Sequence, residues 1–213
     1  MAVRRMGVVP YGEALDIQKA LVEDRRAGRI PDTLVLLEHP PVITLGVKTR
    51  GSRDHVTAAP EMLVREGVEI FDTGRGGDVT YHGPGQLVGY PILDLRPDRC
   101  DVHRYVRDLE TVLIGVAAHF GIEAHRVTGL TGVWTGPAGR EDKLAAIGVR
   151  ISRWITSHGF ALNVGSDLRH FGLIVPCGLA DRGVTSISRV SGRDVTVEDT
   201  LDVVETEFGK VFA

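Results

Sequence analysis

At 213 residues, with 43% hydrophobic and 25% charged side chains, the chain has the size and composition of one globular unit that can bury a continuous core. Its 28 acidic and 25 basic side chains leave a formal charge of −3, which provides no basic footprint for nucleic acid. No stretch approaches the ~18 uninterrupted apolar residues of a membrane span, and the basic pair Arg4-Arg5 precedes no signal-like apolar run, so a cytoplasmic protein is expected; a monomer is taken as the default assembly.

After a strand-like start at Met6 to Val9, Tyr11 to Ala27 carries Ala14, Ile17, Gln18 and Leu21 at helical spacing, and Gly28 is placed to end the helix. Thr33 to Glu38 and Val42 to Leu45 are aliphatic and β-branched, predicting two buried strands around the His39-Pro40-Pro41 corner. Lys48 to Pro60 reads as a mobile polar surface loop, Glu61 to Glu66 as a short helix and Val68 to Phe71 as a strand. Arg75 to Gln86 then packs four glycines and a proline among polar and aromatic residues, a density that marks tight turns or close approach to the main chain.

Leu87 to Leu95 resumes as a strand, and Asp101 caps a helix whose apolar face runs Tyr105, Leu109, Val112, Leu113 and Val116. Ile122 to Val127, Val133 to Thr135, Leu144 to Ile151 and Ile155 to Val164 follow as strands in an order that suggests hairpins. Thr196 with Asp199 opens a last helix. The pattern predicts a single α+β domain over residues 1–213, with a mixed, mostly antiparallel sheet flanked by helices.

Two cysteines lie far apart, without metal-ligand or disulfide spacing. Cys100 has two carboxylates beside it in sequence, which disfavour a thiolate, and receives no role. Cys177 sits in Pro176-Cys177-Gly178, where it reads either as a small buried hydrophobe or as a nucleophile held in a rigid turn. Lys143 heads the apolar run Leu144-Ala145-Ala146-Ile147-Gly148; it is either a solvated strand end or, if desolvated, an amine that exchanges protons near neutrality. Of eight histidines, His39, His82 and His158 lie beside turn residues and can line one pocket. No HExxH, GxxxxGK[ST], GxSxG or complete GxGxxG occurs, so no metal and no nucleotide cofactor is expected.

Five segments stand in the order of one family: Leu37-Glu38-His39-Pro40-Pro41-Val42, Arg75-Gly76-Gly77 through His82-Gly83-Pro84-Gly85-Gln86-Leu87-Val88, Lys143 to Gly148, His158-Gly159-Phe160-Ala161-Leu162-Asn163, and Pro176-Cys177-Gly178. With these the chain resembles the octanoyl-(acyl carrier protein):protein octanoyltransferases, or lipoate-protein ligase B family, over most of its length. The resemblance implies the fold of the lipoate and biotin ligase catalytic domains, and transfer of octanoyl from its carrier protein to a lysine of lipoyl domains, those of 2-oxoacid dehydrogenases and of the glycine cleavage H protein, through a cysteine thioester. It implies that Cys177 and Lys143 are the acyl-transfer pair. It further implies that Arg75, Gly76, Gly77, Tyr81, His82, Gly83, Ala145, Ala146, Ile147, Gly148, His158, Gly159 and Ala161 bind substrate, with no ATP and no metal. Lys48, Arg50, Arg53 and Arg75 read first as solvated loop residues and second as a steering patch for an acidic carrier. An ATP-dependent ligase on the same fold, a cysteine thioesterase and a non-catalytic binder of acylated domains are the competing readings.

Overall fold

The computed structural model describes residues 1–175 and 182–212. Strand β1 (Ala2–Val8) leads into helix α1 (Tyr11–Arg26), followed by strands β2 (Thr33–Glu38) and β3 (Val42–Leu45) on either side of the proline corner. Helix α2 (Pro60–Arg65) begins on its proline, whose missing N–H costs nothing in the first turn. Strands β4 (Glu69–Asp72), β5 (Val79–His82) and β6 (Gln86–Ile92) come next, so the glycine-rich stretch contains a short strand that its composition hides. Helix α3 (Val102–His119) is capped by Asp101, whose carboxylate accepts the Arg104 N–H at 3.0 Å. A meander of β7 (Ala124–Val127), β8 (Leu130–Thr135), β9 (Asp142–Ser152) and β10 (Ile155–Asn163) follows, then helices α4 (Ile187–Ser191) and α5 (Glu198–Phe212). At the start of α5, Thr196 and Asp199 exchange backbone and side-chain hydrogen bonds as a reciprocal cap.

Seven strands form the main sheet in the order β1-β2-β6-β10-β9-β8-β7, in which only the β1–β2 pair is parallel. A smaller sheet, β4-β3-β5, stands beside it with one parallel and one antiparallel pair. The α+β architecture with a mixed, mostly antiparallel sheet therefore holds, hairpins included. Helices α3 and α5 cover one face of the main sheet, packing Leu109, Val112, Leu113 and Phe208 with Leu34, Leu87, Phe160 and Leu162. Helix α1 covers part of the other face, setting Ala14 and Leu21 among Val35, Leu37, Val88 and Ala161. Each fully buried Leu or Val of these layers contributes about 1.5–3 kcal/mol relative to an exposed one.

The stretch from Lys48 to Pro60 is not a free surface loop. Val47 and Lys48 donate backbone hydrogen bonds to Arg75 and Gly77 carbonyls at 3.0 Å each, and Thr57 donates to Leu173 at 3.0 Å. These bonds tie it to the glycine-rich stretch at one end and to the chain before residue 176 at the other. Its polar composition concealed this because the partners are backbone groups, which sequence does not label.

Candidate functional site

A cavity of about 480 Å³, lined by residues of the small sheet, of α1 and α3 and of strands β6, β9 and β10, falls within the ~300–1,000 Å³ usual for small-molecule sites. Arg75, Gly76, Gly77 and His82 form one wall, Lys143, Ala146, Ile147 and Gly148 of β9 another, and His158, Gly159 and Ala161 of β10 a third. Gly148 is required by contact: a Cβ there would stand 2.8 Å from the Gly76 carbonyl oxygen and 3.2 Å from Arg75 Cδ. The glycine-rich stretch can thus lie flat across β9, with the Gly76 N–H donating to the Val149 carbonyl at 2.9 Å.

Lys143 reaches the cavity through a β-bulge. Val133 pairs with Ala145 and Trp134 with Lys143, so Leu144 is an extra residue in β9 with no partner on β8. Leu144 and Ala145 both turn into the core under α3, and Lys143 is left on the cavity face with Ala146 and Gly148. Opposite the bulge, Gly132 adopts φ +121°, and a Cβ on it would lie 2.6 Å from the Ala145 carbonyl oxygen and 3.5 Å from Lys143 Cε. The Gly132 N–H donates to buried Glu110 Oε1 at 3.1 Å, and the other carboxylate oxygen takes Arg107 at 2.6 Å and Arg126 at 2.9 Å. The carboxylate on α3 therefore anchors the strand that faces the lysine stem.

The Lys143 amine lies 4.6 Å from the centre of the Trp134 ring. Burial pushes its pKa down to about 8, because a desolvated ammonium is disfavoured against the neutral amine. Its backbone is held from outside the sheet: the Lys143 N–H donates to Gly183 and the Thr185 N–H to the Lys143 carbonyl, each at 3.0 Å.

A directed chain of hydrogen bonds crosses the cavity wall toward this point. Arg75 is buried, its Nε donating to Thr44 Oγ1 at 3.1 Å and its Nη2 to the Thr44 carbonyl at 2.6 Å. Thr44 Oγ1 meets His82 Nε2 at 3.4 Å, and His82 Nδ1 meets Gln86 Oε1 at 2.7 Å. The Gln86 amide donates to Asn163 Oδ1 at 2.9 Å, and the Asn163 amide to the Thr185 carbonyl at 3.0 Å. Because Gln86 offers an oxygen, the proton of neutral His82 sits on Nδ1. Burial, then the neighbouring His39 and Arg75, hold the His82 pKa down to about 3; burial with the Arg75 and Arg150 charges holds His158 down to about 4. Both imidazoles in the wall are uncharged at neutral pH, and His158 Nδ1, buried without a partner among the described residues, adds a polar atom to it.

The structure gathers ten of the thirteen expected pocket residues, together with Lys143, around one cavity. Tyr81, Gly83 and Ala145 lie off its lining: Tyr81 points to the far side of β5, stacking on His170 at 5.1 Å, and Ala145 faces the α3 core. His39 stands behind the wall, bonded to the Val9 carbonyl and the Tyr90 hydroxyl at 2.7 Å each. Arg75, turned inward, does not belong to a steering patch. Cys177 lies outside the described residues, which resume at Arg182, ion-paired to Glu141, and Gly183. Sequence reasoning missed Thr44 and Trp134 and gave Gln86 and Asn163 no role of their own; the last two stand in the quoted motifs, but only cross-strand pairing makes them partners.

The fold defines the class. It superposes on a bipartite lipoate protein ligase from Thermoplasma acidophilum with a TM-score of 0.70 at 16% identity, covering 99% of this chain and 84% of that one. A biotin protein ligase from Aquifex aeolicus shares it more loosely, at TM-score 0.54 and 13% identity over 98% of this chain and 69% of the other. The lipoyl protein ligase A/B catalytic domain matches residues 10–209, and the chain belongs to that family. It is 53% identical over 218 residues to the octanoyltransferase of Acidobacterium capsulatum, covering 97% of this chain and 88% of the relative. The expected family and fold are both borne out.

Proposed function

We propose that the protein is an octanoyltransferase of protein lipoylation, moving octanoyl from its acyl carrier protein to a lysine of a lipoyl domain, in the cytoplasm, as a monomer and without ATP or metal. The observation that carries the reading is Lys143, a desolvated amine on the cavity face, in a chain whose relative of 53% identity is an octanoyltransferase. With a pKa of about 8, about a tenth of the lysine is neutral at pH 7, against far below 1% for an ordinary lysine. It takes the Cys177 proton; the thiolate attacks the donor thioester, a new S–C bond forms, and the carrier thiol leaves with a proton. The acceptor amine then attacks the enzyme thioester, its surplus proton passes to Lys143, and an amide forms as the Cys177 sulfur departs. The neutral imidazoles and glycine-lined walls suit an uncharged acyl chain.

Intact-mass measurement after mixing with octanoyl-carrier protein, no nucleotide present, should show one added octanoyl group, absent in Cys177→Ala and discharged by a lipoyl domain that gains the same mass. An absolute need for ATP would overturn the reading in favour of a ligase, and free octanoate without acceptor gain would favour a thioesterase.

A further inference from the structure

Trp134 is fully buried, yet its indole N–H has no partner among the described residues. Its ring face, by contrast, carries two cations: Lys143 Nζ at 4.6 Å and Arg182 Cζ at 5.5 Å from the ring centre. Packing alone asks for a large apolar side chain here, and Leu or Phe fills space without leaving a buried donor unpaired. What an indole adds is the strongest aromatic quadrupole among the side chains, whose negative face attracts a cation most where water is excluded.

The surroundings leave that attraction with little competition. Trp134 and Lys143 are directly opposed across β8 and β9, the bulge at Leu144 having brought them onto one face. Gly132 offers no side chain beside the lysine stem. The nearby carboxylates have other cations: Glu110 holds Arg107 and Arg126, and Glu141 holds Arg182. Asp142 lies against Gly183. Across the cavity stand Lys48, Arg75 and Asp78 with the neutral His82 and His158. None of these groups is among the causes of the lowered lysine pKa, which is burial alone.

We propose that Trp134 is a positioning residue for Lys143, its ring holding the ammonium form by a cation–π contact while the same ring seats Arg182, so that the amine and the chain segment emerging after residue 181 are located by one side chain. The consequence is a balance: burial favours the neutral amine and the indole favours the charged one, and the aromatic ring keeps the lysine from losing its proton altogether. This inference rests on the transferase reading only for its catalytic meaning.

The test replaces charge density without replacing shape. The chain has two tryptophans and four lysines, so a Trp154→Phe protein labelled with mono-, di- and trifluorotryptophan changes Trp134 alone. Lys143 is followed by carbon NMR of labelled lysine, assigned with Lys143→Arg, and an unchanged circular-dichroism spectrum verifies folding. The Lys143 pKa should fall stepwise by about one pH unit across the series, as the ring quadrupole is drained. A pKa that stays level or rises through the series overturns the proposal. The acid limb of the transfer rate should move with the titration. If the lysine titration moves and the rate profile does not, the indole–ammonium contact stands and Lys143 is not the proton carrier of the reaction.

Discussion

Replacing Lys143 by methionine should make the protein more stable while abolishing transfer. The ammonium is carried into the fold at a cost: its pKa drops from 10.5 to about 8, and at about 1.36 kcal/mol per pH unit that difference is worth about 3 kcal/mol against folding at neutral pH. Methionine has nearly the same length and no charge, so Lys143→Met should recover about 1–3 kcal/mol at pH 7, the lower figure allowing for loss of the ring contact. The sign follows from proton counts. Between pH 8 and 10.5 the unfolded chain holds a proton on this lysine that the folded chain has released, so wild-type stability rises through that window as the penalty disappears. The advantage of the variant should therefore be largest at pH 7 and close toward pH 10. Urea unfolding of both proteins at the two pH values measures it, the difference cancelling every other titration. A variant less stable than wild type at pH 7, or an advantage equal at both pH values, would refute the reasoning.

Acid should destabilise the fold early. His39, His82 and His158 are held down to about 4, 3 and 4 by burial, whereas unfolded histidine takes a proton near 6.5, so stability present above pH 6.5 should be lost by up to ~4 kcal/mol per pH unit as pH falls toward 4; a flat urea midpoint between pH 6.5 and 4.5 would contradict this. Asn163→Ala removes both the acceptor of the Gln86 amide and the donor to the Thr185 carbonyl, and leaving two buried groups unpaired should cost about 2–3 kcal/mol. A loss below ~0.5 kcal/mol in chemical denaturation would show that the chain of hydrogen bonds is replaced by water.

The parts of the site legible in the sequence were those in which a residue type acts alone. A glycine cluster signals close approach of backbone, and Gly148 beneath the Gly76 carbonyl is that approach. A lysine at the head of an apolar run reads as a solvated strand end or a desolvated amine, and the burial of Lys143 selects the second. What stayed illegible depends on partners in other strands. Period-two alternation puts Lys143 with Ala145 and Ile147 on the α3 side, and the extra residue that reverses this appears only in the pairing with β8. Alternation would separate Tyr81 from His82, neighbours in β5 that point to opposite sides of the small sheet, but the glycines around them hid the strand to which it applies. Trp134 received no reading of its own within the strand Val133 to Thr135, since nothing in those three residues tells of a cation above the ring.

The bulge at Leu144 imposes a rule of parity on this part of the chain. Lys143 and Ala146 are three positions apart, an odd interval, yet both lie on the sheet face away from the α3 core; in an uninterrupted strand only even intervals share a face. Deleting or inserting a single residue between them should turn the lysine away or bury it, whereas a change of two residues preserves its facing at the expense of reach. In descendants of this chain, length in that segment is thus constrained more tightly than identity: Leu144 and Ala145 can be exchanged for other core residues of similar volume, but their number cannot drift by one.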